Sequence, residues 1–359
     1  MTLQHLKKLA TLENPVLLTG HTGFKGTWMT LLLERLGIPV VGFSLPPDRD
    51  SLYSKLGREG KIVETFADIR DLDQVNQFVE MAKPSALIHM AAQPLVLDSY
   101  KMPVETFQTN VMGTVNLLHA NFSNTFFKGG IVITTDKVYR NQNFSRRFLE
   151  SDPLEGKDPY SASKVATEAA VASWKQISKV NDGPNVITVR AGNVIGGGDY
   201  SRDRLIPDLI RGFSINAEIE IRSPDSTRPW QHVLDPVWGY LLALDKVISG
   251  DLNESLNFGP DEPSMKVEEV CNIATSRWPN ATQVTFLKSD NALEAQTLEL
   301  NSSKAFDLLN WSPRWNQSAA IEATINWWIK TIIENVTYQD ACTSDLENFF
   351  SRQDQISNG

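Results

Sequence analysis

A glycine-rich segment near the start of the chain constrains the fold more than any other feature of the sequence. Residues 20–26 read GHTGFKG, a G-x-x-G-x-x-G spacing that follows the apolar run at 15–19 and opens a helical stretch. Gly20 permits the tight turn, Gly23 lets the backbone approach a pyrophosphate, and Gly26 allows close packing of helix and strand. The N–H groups and the dipole of the helix start would then attract negative charge. The segment predicts a dinucleotide-binding site, and a tight turn without a ligand is the alternative.

Short apolar runs alternate with helical segments along the first half of the chain. Such strands, with helices between them, are typical of a parallel sheet that helices cover on both faces. We therefore predict an α/β fold with a Rossmann-type, doubly wound parallel sheet. The predicted strands lie at 15–19, 38–43, 61–66, 85–89, 130–134, 185–190 and 255–258, and the predicted helices at 27–36, 71–82, 104–121 and 159–180.

The composition changes after about residue 192, where glycines, prolines and arginines cluster. This change predicts a smaller C-terminal α/β domain that binds the substrate. The dinucleotide-binding domain is expected at 1–192 with about 235–262, the substrate-binding domain at 193–234 and 263–345, and a frayed tail at 346–359.

Composition argues against several classes of protein. Lys plus Arg is 34 and Asp plus Glu is 43, and the resulting net charge of −9 argues against a general nucleic-acid binder. The two cysteines, Cys271 and Cys342, provide neither a disulfide framework nor a cysteine zinc site, so no metal is expected. No apolar run reaches the roughly 18 residues of a membrane span, and the N-terminus lacks the apolar segment of a signal peptide. We therefore expect a cytoplasmic protein that does not contact a membrane.

A Y-x-x-x-K pattern occupies residues 160–164, inside the predicted helix at 159–180. Positions i and i+4 of a helix face the same way, so the Lys164 ammonium would lie beside the Tyr160 hydroxyl. A nearby cation lowers the pKa of a phenol, which is otherwise a poor base at neutral pH. Alone, the pattern more often marks a solvated helix face. Because it follows a glycine loop and a fifth strand, it predicts a catalytic pair in which Lys164 also holds the nicotinamide ribose.

Three polar side chains, Thr135, Asp136 and Lys137, follow the fifth predicted strand. The carboxyl ends of parallel strands are where open α/β sheets bind ligands. An ordinary loop start is the alternative. The glycine loop, these three residues and the Tyr160–Lys164 pair nevertheless occur in the order that an active site on this fold needs. We therefore predict that these side chains and the Tyr–Lys pair are catalytic.

The second predicted strand lacks the acidic residue that usually binds an adenosine ribose at its end. Ser44 stands there instead and would hydrogen-bond the ribose hydroxyl. Arg49 is the next residue with the chemistry to meet a 2′-phosphate. This position therefore does not distinguish NAD from NADP.

The ends of the third and fourth predicted strands supply further candidate cofactor contacts. Asp68 and Ile69 would lie either beside the edge of a bound adenine ring or in a plain surface turn. Ala91 and Ala92, followed by Gln93, are small enough for the backbone to approach a cofactor, although tight packing of the sheet explains them equally well.

Candidate substrate contacts lie beyond the sixth predicted strand. Asn193 would bond a hexose hydroxyl or a phosphate. Arg204 and Arg228 are candidate pyrophosphate clamps because arginine binds phosphate in a bidentate way, and solvated surface arginines are the alternative. Trp230 and His232 would line a nucleobase or sugar pocket, or else have a structural role in the interior.

The chain resembles the extended short-chain dehydrogenase/reductase family, and within it the CDP-glucose 4,6-dehydratases. The matching stretches span residue 16 to about residue 236 and include GHTGFKG, TTDKVY, DPYSASK and RPWQHVLDP. The Asp136–Lys137 pair is discriminating, because dTDP-glucose dehydratases carry Asp-Glu there and epimerases usually lack the pair. The segment 140–150 departs from the aromatic, glycine-containing stretch that the family tends to have.

The resemblance implies NAD as a tightly held cofactor and a nucleotide sugar, CDP-glucose, as the substrate. It also implies a homodimer or a tetramer. Among the residues, it implies that Phe24, Lys25 and Asn110 join the cofactor site, and that Gln93, Thr135 and Leu205 contact the substrate.

The implied reaction is oxidation of the sugar at C4, loss of water across C5 and C6, and return of hydride to C6. Tyr160 would take the C4 hydroxyl proton, and Asp136 would protonate the departing C6 hydroxyl. Lys137 would either remove the C5 proton or stabilise the enolate as a cation. A nucleotide-sugar 4-epimerase or reductase of the same fold, a 4,6-dehydratase for another nucleotide hexose, and a cofactor-binding protein without activity are the alternatives.

Overall fold

The computed structural model describes residues 5–141, 146–287 and 298–356. Its strands are β1 (Val16–Thr19), β2 (Val40–Ser44), β3 (Val63–Phe66), β4 (Ala86–His89), β5 (Gly129–Ile133), β6 (Asn185–Ala191), β7 (Val194–Ile195), β8 (Ile219–Ile221), β9 (Thr227–Arg228), β10 (Gln231–His232), β11 (Leu256–Phe258), β12 (Met265–Lys266) and β13 (Val284–Phe286).

The α-helices are α1 (Phe24–Arg35), α2 (Leu52–Lys55), α3 (Leu72–Ala82), α4 (Val96–Lys101), α5 (Pro103–Phe107), α6 (Gly113–Phe122), α7 (Pro159–Asn181), α8 (Leu205–Ile215), α9 (Leu234–Ile248), α10 (Val267–Arg277), α11 (Ser303–Leu309), α12 (Gln317–Ile332) and α13 (Tyr338–Ile356). A π-helical turn, Gln108–Met112, joins α5 to α6, and 3-10 turns occupy Leu9–Thr11 and Asp136–Val138.

Seven strands form one parallel sheet in the order β11-β6-β5-β4-β1-β2-β3. Thr19, the last residue of β1, pairs with Phe43 of β2 on one side and with His89 of β4 on the other. The chain therefore builds outward from β1 in both directions. In such sheets ligands bind at the carboxyl ends of the strands, where the strand order reverses. The predicted doubly wound α/β fold is confirmed.

Successive side chains along each strand point to opposite faces of the sheet, and both faces are apolar. On β1, Val16 and Leu18 pack into the core on one face, and Leu17 packs into the core on the other. Helices α1 and α9 cover the first face, and α3, α6 and α7 cover the second. The strand ends, rather than either face, are thus the part of the sheet that is open to a ligand.

The helix predicted at 104–121 is interrupted by the π-helical turn at Gln108–Met112. The carbonyl oxygen of Asn110 in this turn accepts hydrogen bonds from the hydroxyls of Thr114 and Thr167 at 2.7 and 2.8 Å. These hydroxyls satisfy a backbone group where the regular helical pattern is broken. Thr167 belongs to α7, so the composition of the 104–121 segment alone does not reveal the interruption.

After β6 the chain leaves the large sheet and later returns to it. The strand pairs β7/β10, β9/β12 and β8/β13 lie outside that sheet. Helix α9 then packs on β5 and β6, and β11 adds to the sheet edge beside β6. The segment between β6 and β11 therefore adds small strand pairs outside the large sheet and one helix, α9, that packs on it.

The tail predicted at 346–359 is wrong in its first part. Helix α13 continues through this segment to Ile356, and its side chains Leu346 and Phe349 are buried. The Arg314 guanidinium lies 3.7 Å from the centre of the Phe349 ring. A cation–π contact and these buried apolar side chains thus dock the last part of α13.

Within the described ranges, no helix is long and apolar enough to cross a membrane. The same part of the chain holds no group of His, Cys, Asp and Glu side chains that could bind a metal ion.

Candidate active site

The glycine loop has the geometry of an anion-binding turn. Gly20 has a positive φ of 71°, and a Cβ on it would lie 2.7 Å from the backbone nitrogen of Ala91. A Cβ on Gly26 would overlap the carbonyl oxygen of Gly20, so only glycine lets α1 pack this closely. Gly23 is exposed and carries no side-chain cap for α1. The first N–H groups of α1 therefore face an open surface, which suits a pyrophosphate.

Ser44, at the end of β2, is buried and already has a polar partner. Its hydroxyl is hydrogen-bonded to the hydroxyl of Thr22 at 2.7 Å, inside the glycine loop. Arg49 is exposed on the segment that follows. Ser44 and Arg49 thus lie at and beyond the end of β2, and the Ser44 hydroxyl also links β2 to the glycine loop.

An acidic side chain does lie near the glycine loop, but on β3 rather than β2. The Glu64 carboxylate is 2.7 Å from Nε2 of His21 and accepts a hydrogen bond of 2.7 Å from the Tyr53 hydroxyl. Burial lowers the pKa of His21, against the opposing effect of Glu64. The sequence patterns did not predict this cluster, because the acidic residue of a dinucleotide site is expected at the end of β2.

Asp68 and Ile69 follow β3. The Asp68 carboxylate pairs with the Arg70 guanidinium at 2.6 Å, and this partner lowers the pKa of Asp68. Ile69 is buried, and its side chain packs where a Cβ on Gly113 would lie. Both residues have structural partners, and both stand beside the carboxyl end of the sheet.

Gln93 and Asn110 use their side-chain amides to hold the loop after β4. Asn110 accepts from the Gln93 backbone N–H at 2.8 Å and donates to the Ser163 hydroxyl at 2.8 Å. The Gln93 amide donates to the Thr106 hydroxyl at 3.0 Å. Ala91 and Ala92 are partly exposed beside this loop. The amides therefore fix the loop against α7.

The predicted catalytic residues come together at the end of β5. The Thr135 hydroxyl lies beside the Tyr160 phenol and opposes the rise of the Tyr160 pKa that burial causes. Thr135 also donates to the Asp136 carboxylate at 3.0 Å and accepts from the Lys137 backbone N–H at 3.3 Å. Asp136 is buried, and Lys137 is partly exposed. Helix α7 and the 3-10 turn at Asp136–Val138 thus supply one connected set of groups.

The pKa values of Tyr160 and Lys164 differ from those that the sequence led us to expect. Burial raises the pKa of Tyr160 to about 12, although the Thr135 hydroxyl and the Arg204 charge oppose this effect. Burial and the charge of Lys25 lower the pKa of Lys164 to about 7. The Lys164 ammonium donates to the carbonyl oxygen of Ile133 at 3.1 Å. The expected lowering of the phenol pKa by Lys164 is therefore not found, because the lysine is itself desolvated.

Burial shifts the pKa of Asp136 in the direction that an acid catalyst needs. Burial raises its pKa, and the charges of Lys137 and Arg228 only partly oppose this. Lys25 projects toward the same region, because Asp136 and Arg204 both influence its pKa, which burial lowers to about 8. The site thus combines a buried carboxyl group with several cations.

A cleft beside these residues can admit a substrate. Asn193 and Arg228 line it together with Asp136 and Lys137. The sequence patterns did not predict the remaining lining residues. Asn141 belongs to the 140–150 segment, in which residues 142–145 lie outside the described residues. The remaining lining residues are Val96, Leu97, Tyr100, Tyr139, Asn141, Glu155, Lys157, Asp158, Ser161 and Leu298.

Arg204 stands at the start of α8, directly before Leu205. Its guanidinium is 3.2 Å from the buried Asp199 carboxylate, yet about a third of its side chain is exposed (37%). Its charge acts on both Tyr160 and Lys25. Arg204 is therefore close to the catalytic groups and has access to solvent.

Trp230 and His232 do not line the cleft, and the prediction of a substrate pocket there is wrong. The Trp230 indole is buried and donates to the carbonyl oxygen of Met265 at 3.4 Å. His232 is fully buried, 4.3 Å from the ring centre of Trp315 and 3.5 Å from the Asp345 carboxylate. Both belong to the core, because α12 and α13 cover this side of the RPWQHVLDP segment.

The parallel sheet, the glycine loop and the Tyr160–Lys164 pair at the strand ends together define an extended short-chain dehydrogenase/reductase. The NAD dependent epimerase/dehydratase family matches residues 16–259, and the chain belongs to this family. The family description agrees with the predicted NAD cofactor, and the residues around the exposed Gly23 fit such a dinucleotide.

Curated relatives extend the similarity over most of the chain. A CDP-glucose 4,6-dehydratase of Salmonella typhimurium is 38% identical over 327 residues, which cover 88% of this chain and 91% of the relative. A dTDP-glucose 4,6-dehydratase of Haemophilus influenzae is 25% identical over 341 residues, 88% of this chain and 97% of the relative. The resemblance inferred from the sequence is confirmed.

Solved structures show the same fold. A UDP-glucose 4-epimerase of Thermotoga maritima with UDP-glucose has a TM-score of 0.78 at 20% identity, covering 88% of this chain and 99% of the other. A dTDP-glucose 4,6-dehydratase of Bacillus anthracis in complex with NAD has a TM-score of 0.75 at 18% identity, covering 89% and 98%.

Proposed function

We propose that this chain is a nucleotide-sugar 4,6-dehydratase that converts CDP-glucose to CDP-4-keto-6-deoxyglucose and water. The observation that carries the proposal is the buried Asp136, whose pKa is raised; it is hydrogen-bonded to Thr135 beside Tyr160 and is followed by Lys137. An epimerase needs the Thr135–Tyr160 part of this set but not the acid and the cation beside it. The 38% identity to a CDP-glucose 4,6-dehydratase supports the choice of nucleotide.

The cofactor contacts follow from the glycine loop. The N–H groups at the start of α1, beside Gly23, bind the pyrophosphate, and Phe24, Lys25 and Gly26 form the rest of this turn. Lys164 binds the nicotinamide ribose. When bound, NAD supplies a reversible two-electron oxidation and ends the turnover unchanged.

Tyr160 removes the proton from the C4 hydroxyl as that carbon is oxidised. Thr135 donates a hydrogen bond to the same oxygen and orients it toward the phenol. The pKa of Tyr160, about 12 here, has to fall for this step. A cation in the cleft favours the phenolate, and Arg204 already acts in that direction.

Asp136 and Lys137 carry out the elimination. The C4 ketone makes the C5 proton acidic, and its loss forms an enolate. Asp136, whose pKa burial raises, gives a proton to the departing C6 hydroxyl, which leaves as water. Lys137 either takes the C5 proton or stabilises the enolate as a cation. Hydride then adds to C6, and a proton returns to C5, which completes the product.

The substrate spans the cleft beyond the catalytic groups. Asn193 binds a sugar hydroxyl, and Arg228 binds the pyrophosphate. Arg204 and Leu205, at the start of α8, are further substrate contacts of this proposal, and the Arg204 charge acts on Tyr160. This arrangement is consistent with a substrate domain at 193–234 and 263–345, and a cofactor domain at 1–192 with about 235–262 that includes β11 and α9.

The protein acts in the cytoplasm as a homodimer. Exposed apolar side chains on neighbouring helices supply the contact surface: Val104 and Phe107 of α5, Met112 of the π-helical turn, and Ile177 and Val180 of α7. Light scattering should give twice the chain mass, and Val180→Glu should shift the equilibrium toward the monomer. A monomeric wild-type protein at assay concentration would contradict the dimer.

Product analysis tests the function. The protein is incubated with NAD and, separately, with CDP-glucose, dTDP-glucose and UDP-glucose, and each product is read by mass spectrometry. Loss of one water from CDP-glucose in preference to the others is the expected result. A C4 epimer of unchanged mass would instead show an epimerase, and loss of water from another nucleotide glucose would show a dehydratase of different specificity.

A further inference from the structure

A buried carboxylate on α7 lies behind the catalytic residues. Glu168 follows Lys164 by one helical turn, and Nε and Nη2 of Arg190 each donate to it at 2.8 Å. The hydroxyls of Thr134 and Thr188 also donate to it, both at 2.6 Å. Each oxygen of Glu168 therefore accepts one guanidinium and one hydroxyl hydrogen bond. Such a charge-assisted, two-pronged geometry permits little relative movement of its partners.

Arg190 extends this network to the far side of the 3-10 turn at Asp136–Val138, which together with Thr135 forms the catalytic turn. Its Nη1 donates to the Tyr139 hydroxyl at 2.8 Å and to the carbonyl oxygen of Glu150 at 3.1 Å. The Tyr139 hydroxyl in turn donates to the Asn257 amide oxygen at 2.7 Å. Strand β6, which carries Arg190, is thereby connected to the residues on both sides of Asp136–Val138.

Thr134 directly precedes the Thr135–Lys137 segment, and Tyr139 closely follows it. Both ends of the catalytic turn are thus bonded to one ion pair. The hydrogen bonds within the turn are long by comparison: the N–H groups of Val138 and Tyr139 reach carbonyl oxygens at 3.4 Å each. The position of the turn therefore depends mainly on the hydrogen bonds that Thr134 and Tyr139 make at its two ends.

We propose that the Glu168–Arg190 pair is a positioning element that holds Thr135, Asp136 and Lys137 in place relative to Tyr160. The proposal rests on the 4,6-dehydratase function, because it assigns the pair to the step in which Asp136 must reach the C6 hydroxyl. Helix α7 carries both Tyr160 and Glu168. The groups for oxidation and for elimination are therefore held by the same helix. A misplacement of about 1 Å in such a set lowers the rate about a hundredfold.

The two threonines offer a matched pair of variants. Removing Glu168 or Arg190 would leave a buried unpaired charge and endanger folding. Thr134→Val and Thr188→Val each remove one 2.6 Å hydrogen bond from the same carboxylate, and both side chains are buried. Only Thr134 is covalently joined to the catalytic turn. Thr134→Ser keeps the hydroxyl and tests for rescue.

The experiment compares the three variants as full-length proteins. Thr134→Val should lower kcat for water loss about tenfold to a hundredfold with KM nearly unchanged, and Thr134→Ser should restore it. Thr188→Val should lose at least as much thermal stability as Thr134→Val, because it also removes the 2.8 Å hydrogen bond between the Thr188 and Ser255 hydroxyls, while kcat stays within about twofold of the unsubstituted protein. Equal kcat values in Thr134→Val and Thr188→Val would overturn the proposal.

A second measurement needs no substrate and so separates this proposal from the proposed function. Amide hydrogen exchange reports on the N–H groups of Lys137, Val138 and Tyr139, which are bonded within the turn. Exchange there should be faster in Thr134→Val than in Thr188→Val. Equal exchange in the two variants would overturn the proposal. If no nucleotide glucose loses water with the unsubstituted protein, the proposed function fails instead.

Discussion

The Lys164 ammonium donates a hydrogen bond of 3.1 Å to the carbonyl oxygen of Ile133, the last residue of β5. Because Ile133 immediately precedes Thr134 and Thr135, the lysine binds the same strand end that presents the catalytic turn. Tyr160 lies one helical turn earlier on α7, beside the Thr135 hydroxyl. Helix α7 thus binds the end of β5 through Lys164 and brings Tyr160 beside Thr135 at the site of the proposed oxidation.

The ionisation of Lys164 predicts how stability depends on pH. Burial lowers its pKa from 10.5 to about 7. Between these values the unfolded chain binds more protons than the folded chain, so the free energy of unfolding should rise as the pH increases from about 7 to about 10. Below pH about 7 the lysine is protonated in both states, and the cost of burying the charge is fully present.

Urea unfolding over this pH range checks the prediction. The free energy of unfolding of Lys164→Met should change less between pH about 7 and about 10 than that of the unsubstituted protein. Lys179→Met, at an exposed position near the end of the same helix, is the control and should keep the unsubstituted pH dependence. Parallel curves for all three proteins would show that Lys164 is fully charged in the folded state.

Replacing Asp136 by Asn should stop the elimination. The amide keeps the size of the buried carboxyl group but has no proton to give to the C6 hydroxyl, so product formation should fall by about a hundredfold or more. Thr135 and Tyr160 are unchanged in this variant, so substrate oxidation should persist and reduced nicotinamide should accumulate, visible in its near-ultraviolet absorbance. Unchanged formation of the 4-keto-6-deoxy product would remove Asp136 from its role as the acid.

Replacing Tyr160 by Phe should abolish the first step. Without the phenol the C4 hydroxyl proton has no acceptor, and neither product nor reduced nicotinamide should form. Tyr240→Phe is a matched control, because the Tyr240 hydroxyl is buried and has no hydrogen-bond partner among the described residues. This second variant should keep its activity and its stability. Turnover by Tyr160→Phe would contradict the whole reaction scheme.

Local sequence patterns were sufficient for those parts of the site that lie on one element or at one strand end. The glycine spacing predicted the turn before α1, and the i, i+4 spacing placed Tyr160 and Lys164 on α7. The carboxylate of Glu64 and the partners of His232 come from distant elements, so no local pattern reveals them. The pKa of Lys164 was missed for a related reason: burial depends on the whole fold, whereas the spacing shows only which residues are neighbours.

Arg228 should contribute to substrate binding more than to turnover. It is buried at the edge of the cleft, and its charge reaches Asp136. Arg228→Lys keeps the charge but loses the planar, two-pronged contact to a phosphate, so KM for CDP-glucose should rise about tenfold. Steady-state kinetics at saturating NAD measure this change, and an unchanged KM would exclude a pyrophosphate contact at this residue.

His232, only a few residues further along, should behave in the opposite way. It is fully buried beside Trp315 and 3.5 Å from the Asp345 carboxylate of α13, far from the role in substrate binding that the sequence suggested. His232→Gln would remove a buried ring that packs against Trp315, so the free energy of unfolding should fall by about 0.5–3 kcal/mol. KM for CDP-glucose should stay unchanged, because the folded molecules keep their cleft. Urea unfolding and steady-state kinetics on the same preparation separate the two effects, and a raised KM without loss of stability would return His232 to the substrate site.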